Sequence, residues 1–343
     1  MATLSSEEIY SIVKESLRAV GTSKAAAEAV AETTCQAELR GISSHGLQMI
    51  PVYVERILEG GIQGKAEPTV STGGDNIHII DGNGCCGQLA AKKAMELVIE
   101  EVKKNRVSVV GVKNTNHCGM LAYYTENISK EYSIAFMCTN TNPNVAAFGG
   151  AEKVLGTNPF SVALPWDKES IVIDMATTSI AKGKIYEYAM KGISIPEGYA
   201  LDKDGKATTD ANEALNGTLL PFGGHKGYAL SILVEILAGV ITGGGFSKNV
   251  FSLHSDISKQ QNVGMFLMGI PIEPLMGEKM YKERIKEFVS IIKGSKLAVG
   301  FNEIYMPGEI EANRRKDRLR NGIEVNDDII EKLKQIINSK KIL

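Results

Sequence analysis

Residues 110–119 read VGVKNTNHCG, and the reading of this stretch decides how the chain is built. The run before it, residues 107–112 (VSVVGV), is short, apolar and β-branched, as a buried strand requires. Lys113-Asn114-Thr115-Asn116 is turn chemistry, and a helical pattern opens near Met120. His117 therefore stands where a core strand hands over to a helix. Such a place is rigid, and the N–H groups of a helix start attract anions. A capping or solvated imidazole and a reactive one both fit there.

Working outward, a second handover precedes it. Residues 76–81 (NIHIID) read as a strand and 88–104 as a helix, with Gly82-Asn83-Gly84-Cys85-Cys86-Gly87 between them. The pattern is formally G-x-G-x-x-G, the form of a Rossmann phosphate loop. Two residues speak against that use. Asp81 would face a pyrophosphate with the wrong sign, and the next strand ends in Lys113 where a ribose-binding acid belongs. A tight turn feeding a helix is the expected role.

The first sixty residues are helical. Ser5-Ser6-Glu7-Glu8 is a capping box, followed by Ile9, Ile12, Val13, Leu17 and Val20 at helical spacing and a stop at Gly21. A second helix spans about 23–39 and a third about 47–58, with Pro51 kinking the third or delaying its start. Ser43 or Ser44 is a natural N-cap for the third, which sets His45 at a helix N-terminus. Further along, strands are expected at 133–138, 161–165, 171–175 and 263–270. Helices are expected at 180–190, 274–292 and 327–339, with an amphipathic one at 228–241 opened by Leu219–Gly227 (LLPFGGHKG). Residues 200–205 read as a hairpin turn. Asp174, at a strand end, suits a ribose hydroxyl or a helix cap equally. Lys226 brings a mobile cation to helix-start N–H groups, which suits a phosphate or carboxylate, though a plain loop lysine fits as well.

Composition excludes several classes. A 343-residue chain has room for about two domains. With 43% hydrophobic and 23% charged residues and a net charge of −2, nothing points to nucleic acid or a membrane surface. No apolar run reaches bilayer length, and the N-terminus lacks the basic and apolar regions of a secretory signal. The five cysteines, Cys35, Cys85, Cys86, Cys118 and Cys138, have no metal-site spacing, so reduced thiols in a cytoplasmic protein and no metal are expected.

Four stretches taken in order, SSHG at 43–46, NTNHCG at 114–119, DMAT at 174–177 and LLPFGGHKG at 219–227, resemble one family, the type-2 malate/L-lactate dehydrogenases. TNPF at 157–160 and PGE at 307–309 fall in the same order, so the likeness spans nearly the whole chain. The resemblance implies a homodimeric oxidoreductase that moves hydride between NAD or NADP, with NAD favoured, and C2 of a 2-oxo or 2-hydroxy acid. It implies an α+β, non-Rossmann fold: a helical domain from both chain termini (1–72 with 311–343) and a domain around a largely antiparallel β-sheet (73–310). It implies His117 as acid/base, with His45 the proton donor in some members, and Ser44, His45 and Tyr53 around the substrate. Thr141, Asp174, Met175, Ala176, His225, Lys226, Gly308, Glu309 and Ile310 would hold the dinucleotide.

Two positions depart from the pattern. Many members carry an arginine where this chain has Met49, and that arginine would grip a second acidic group bidentately. A thioether is apolar and flexible, so a monocarboxylic 2-oxo acid is the expected substrate. Cys118 stands where relatives often have an aromatic residue, a change of pocket wall and not a nucleophile, since no base pairs with it. Reduction of cyclic 2-imino acids by the same proton logic, and a non-catalytic dinucleotide-binding protein, remain the alternatives. A metal hydrolase on His117 and Asp174 lacks ligand spacing.

Overall fold

A computed structural model describes residues 2–339. Helices Ser6–Ala19, Lys24–Arg40 and Ile50–Leu58 form the N-terminal layer. The capping box is present in both halves: Glu8 N–H donates to Ser5 Oγ (3.2 Å) and Ser5 N–H to Glu8 Oε2 (2.7 Å). Ile9, Val13 and Leu17 form its buried stripe. The chain's far end returns to the same core. Strand Ile323–Val325 pairs antiparallel with Ala2–Leu4, and helix Asp327–Ser339 buries Ile330 and Leu333 beside Ile9, Val13 and Leu17. Burying each such aliphatic side chain stabilises the fold by roughly 1.5–3 kcal/mol.

The third helix departs from expectation. It starts at Ile50, with Pro51 in its first turn, and residues 43–49 are two single 3₁₀ turns, Ser43–His45 and Leu47–Met49. No side chain caps either turn, so His45 does not sit at an α-helix N-terminus. The cause lies outside the segment. The buried Glu38 carboxylate accepts the Leu47 N–H at 2.7 Å, and a Cβ on Gly46 would lie 1.9 Å from Glu38 Oε1. That pull from the previous helix holds the chain in a tight bend, and Pro51 then fixes where the α-helix begins.

Among the described residues the main sheet has seven strands, in the order Thr69–Gly74, Ile77–Asp81, Ser108–Thr115, Val263–Pro271, Ser133–Thr139, Phe160–Trp166, Glu169–Met175. Every pairing is antiparallel except Ile77–Asp81 with Ser108–Thr115, which helix Gly87–Val102 connects. The fold is therefore α+β and largely antiparallel, as expected, and not a Rossmann fold. Strand Ser108–Thr115 runs three residues past the expected end, through the supposed turn. Asn114 takes a left-handed φ of 53° there, and the register against Val263–Met265 slips by one residue. The turn residues thus make a bulge that re-aims the strand end toward Asn116 and His117.

The Gly82–Gly87 loop is a structural turn. Asp81 accepts from Asn83 N–H and from Asn114 Nδ2, each at 2.9 Å. Asn116 Nδ2 donates to the Gly84 and Cys85 carbonyls, each at 2.9 Å. The helix at 228–241 also differs from expectation. It runs His225–Glu235 and continues as one π-helical stretch, Ile236–Val240; Val234 and Ala238 pack inward on Cys138, but several of its larger apolar residues are turned outward. Ser231 and Glu235 are buried, whereas Leu233, Ile236, Val240 and Ile241 are exposed. The polar residues are inside because they bond the loops beneath: Glu235 accepts from Asn158 Nδ2 (2.6 Å) and Ser247 N–H (2.7 Å).

Candidate active site

His117 is fixed by its backbone before its ring is considered. Its N–H donates to Gln261 Oε1 (3.0 Å), and Gln261 N–H donates to Asn116 Oδ1 (3.2 Å). The ring's Nδ1 lies 2.6 Å from the Tyr53 hydroxyl and 3.4 Å from the Gly119 N–H. Its Nε2 has no hydrogen-bond partner among the described residues. His45 stacks on this ring at 5.4 Å between centroids. Dense protein around the two rings disfavours their charged forms. The pKa of His117 is pushed down to about 3, by desolvation first and then by His45 and His254, and that of His45 to about 4 by desolvation. Both rings nonetheless keep part of their surface open.

The surrounding residues come from far along the chain. The Ser44 hydroxyl meets His45 Nδ1 at 3.0 Å. Tyr53 is buried, so it acts on the His117 ring from behind instead of presenting a broad wall. Met49 is only 7% exposed and packs in the helical core with Leu47 and Ile50. One turn after Tyr53, the fully buried Arg56 donates to the carbonyls of Ser252 and Leu253 (both 3.2 Å), Asp256 (3.0 Å) and Lys259 (2.5 Å). It thereby ties down the loop that carries His254. Cys118 is buried, and its thiol is pushed up to about 12, no nucleophile at neutral pH.

The expected dinucleotide residues fall into three groups. Asp174 Oδ2 caps helix Ala122–Ser129 by accepting the Ala122 N–H at 2.8 Å, and its other oxygen has no partner among the described residues. Although the residue is exposed on one side, desolvation first and then the negative fields of Glu126 and Glu311 raise its pKa to about 6. Met175 and Ala176 follow it. The turn at Gly308 packs on the same strand: Val172 N–H donates to the Pro307 carbonyl (2.9 Å), and a Cβ on Gly308 would lie 2.8 Å from Val172 Cβ. Glu309 is already engaged by Lys293 (2.5 Å) and the Met306 N–H (2.9 Å), while Ile310 is exposed. Thr141 is held by Thr157 N–H (2.9 Å) and Asn158 Oδ1 (3.3 Å). His225 and Lys226 open their helix in the exposed layer, His225 edge-on to Phe148 at 6.0 Å, and no carboxylate pairs with Lys226 among the described residues. Among the described residues no hydrogen bond or ring contact links that pair to the His45–His117 stack.

These residues suit a dinucleotide. An unpaired lysine in the first turn of a helix attracts a pyrophosphate, although the N–H groups of Lys226 and Gly227 already donate to the Gly223 and Phe222 carbonyls, and an open carboxylate oxygen accepts from hydroxyl or amide groups. The malate/L-lactate dehydrogenase family model matches residues 4–334. The chain belongs to that family. It is 38% identical to the malate/(S)-sulfolactate dehydrogenase of Methanothermus fervidus, covering 99% of this chain and 98% of the relative. It is 32% identical to the Escherichia coli K12 ureidoglycolate dehydrogenase (NAD(+)), covering 96% and 94%. A Pseudomonas putida relative, also 32% identical, is a Δ1-pyrroline-2-carboxylate/Δ1-piperideine-2-carboxylate reductase, with 96% and 95% covered. The solved sulfolactate dehydrogenase of Methanocaldococcus jannaschii superposes with a TM-score of 0.93 at 38% identity, over 99% of this chain and 98% of that one. The chain is an NAD(P)-dependent dehydrogenase.

Within this family framework, sequence reasoning missed four neighbours of the site. They are His254, Gln261, Gln88 beside the Tyr53 hydroxyl, and the Gly119 N–H. His254 alone left a signal: the chain has only five histidines.

Proposed function

We propose that the protein reduces the C2 carbonyl of a 2-oxo acid, and oxidises the matching 2-hydroxy acid, with His117 as the proton-exchanging group. The observation that carries this is the His117 ring, held at Nδ1 by Tyr53 with its Nε2 left free, in a chain of a dehydrogenase family. The nicotinamide supplies or removes the hydride. The protein's own work is to bind, orient and move one proton. In reduction the Nε2 proton passes to the oxygen that gains charge; in oxidation the neutral ring takes it back. Such acid/base help is worth ~10²–10⁴ in rate. His45 and Ser44 border the same space and would meet the substrate carboxylate. Asp174, Thr141, His225, Lys226 and the 308–310 turn would hold the dinucleotide.

Position 49 bears on the substrate. A buried thioether offers no charge to a second acidic group, so the substrate we favour is a monocarboxylic 2-oxo acid such as pyruvate or phenylpyruvate. The domain division at residues 72/73 and 310/311, NAD over NADP, and a homodimer are parts of the same proposal.

The test is oxidation of NADH and NADPH by the purified chain with pyruvate, phenylpyruvate, oxaloacetate, sulfopyruvate and a cyclic 2-imino acid, beside His117→Ala. The expected result is turnover of a monocarboxylic 2-oxo acid, lost at least 10²-fold in the variant while NADH still binds. Near-normal turnover by His117→Ala would transfer the role to His45. Preference for oxaloacetate would remove the reading of Met49, and turnover of the imino acid alone would replace the oxo-acid reading.

A further inference from the structure

The surroundings of His117 hold a charge pattern that the proton-exchange role does not by itself require. Two imidazoles stack, His45 from the 3₁₀ turn and His117 from the strand end, and His254, exposed on the loop that Arg56 ties down, adds its field to His117. Each group bearing on them is cationic or neutral. The Tyr53 hydroxyl meets His117 Nδ1, and the Ser44 hydroxyl meets His45 Nδ1. Arg56 and Lys182 lie close enough to His254 to oppose its protonation. The Cys118 thiol bears on Tyr53, as does Cys86. Asp174 is the acid nearest in effect, but it bears on the Cys118 thiol, and one of its oxygens is committed to the Ala122 N–H. No carboxylate touches any of the three rings among the described residues.

A histidine whose partner is a carboxylate carries its counter-charge with it and is readily protonated. One whose partner is a phenol does not. Here the Gly119 N–H also points at Nδ1, and a neighbouring imidazole would repel a second positive charge. The compensating negative charge must then arrive from outside.

We propose that the substrate anion and a proton bind this enzyme together: the carboxylate of the 2-oxo acid enters beside the stacked His45 and His117 rings and supplies the counter-charge on which His117 takes up its proton. Tyr53 is the positioning residue of this device. It holds Nδ1, so that Nε2 is the atom that gives the proton onward. Because it is neutral, it leaves the ring uncharged until the anion is present. The low proton affinity of His117 in the free protein agrees with this. The inference rests on the acid/base reading of His117, but its test does not need turnover.

The test is calorimetric titration of oxamate, an unreactive 2-oxo-acid mimic, into the chain with saturating NADH at pH 7.5, in two buffers of different ionisation heat. The expected result is uptake of about one proton per site, with oxamate affinity falling about tenfold per pH unit above neutrality. His117→Gln should still bind oxamate, more weakly, with no proton uptake, and Tyr53→Phe should retain uptake but lower kcat about tenfold more than it changes KM. Nitrogen-15 spectra of the histidines should show His117 neutral without oxamate and doubly protonated with it. Binding without proton uptake, uptake that survives His117→Gln, or failure of oxamate to bind would each overturn the proposal. If oxamate binds with its proton yet no 2-oxo acid is reduced, the proposed reaction falls while proton-linked anion binding stands.

Discussion

Gly87→Ala is a single-methyl change with a calculable consequence. Gly87 opens helix Gly87–Val102 beneath the His117 loop, and a Cβ there would stand 2.0 Å from the Asn116 carbonyl oxygen, 2.4 Å from that of His117 and 2.6 Å from the His117 carbonyl carbon. Ordinary non-bonded separations exceed 3 Å by some tenths, so residues 116–117 must retreat by roughly 1 Å. These are backbone atoms, clamped by Asn116 on the Gly84 and Cys85 carbonyls and by Gln261 on the His117 N–H. Overpacking of this kind costs about 1–3 kcal/mol, and the gain of alanine over glycine in a helix returns only about 0.5–1. A catalytic group displaced by ~1 Å loses about 10² in rate. We expect Gly87→Ala to melt several degrees lower and to lose kcat by about two orders of magnitude, with KM for NADH little changed. Thermal unfolding and steady-state kinetics on one preparation test this. If the glycine instead served a dinucleotide phosphate, KM for NADH would rise while melting stayed put, and that outcome would refute the packing argument.

Met49→Arg should improve kcat/KM for oxaloacetate relative to pyruvate by roughly 10–100-fold, the worth of one charge-assisted bidentate contact; an unchanged ratio speaks against any role of position 49 in substrate choice. Arg56→Met leaves four carbonyl groups without their donor, so we expect a loss of about 3 kcal/mol in denaturant unfolding together with faster proteolysis within residues 252–259; equal protease resistance would show that the loop is held by other means. Asp174 has its folded pKa raised to about 6 from an ordinary 3.8, so the folded state binds the extra proton and stability falls as pH rises between these values. Asp174→Asn, which keeps an acceptor for the Ala122 N–H, should therefore melt at or above wild type at pH 8, with the advantage gone below about pH 4, and a variant less stable at pH 8 would contradict the sign.

What the sequence disclosed was local, and what it hid came from elsewhere in the chain. The Ser5–Glu8 capping box needs only four consecutive residues, and both of its bonds form. Asp81 before the glycine loop argued against a phosphate site by charge alone, and it bonds Asn83 and Asn114 instead. The 3₁₀ bend at 43–49 was illegible because its cause, the Glu38 carboxylate, lies on another helix. The helix at 228–241 was misjudged because periodicity assumes apolar residues point inward. Here Glu235 and Ser231 are drawn in by Asn158, whose amide is set by a different turn. At the candidate site, the two histidines that their motifs single out, His117 and His45, are brought together as stacked rings. The Tyr53–His117 bond spans 64 residues and the approach of His254 spans 137, separations that no spacing rule encodes.

Tyr53 and Arg56 project from one short helix, three residues apart, one reaching the His117 ring and the other fastening the strap that bears His254. That helix works as a common lever. A small rotation about its axis would disturb the grip on Nδ1 and slacken the strap in the same movement. Insertions or deletions between residues 252 and 259 would therefore be felt at the chemistry, whereas length changes in the hairpin at 200–208 would not.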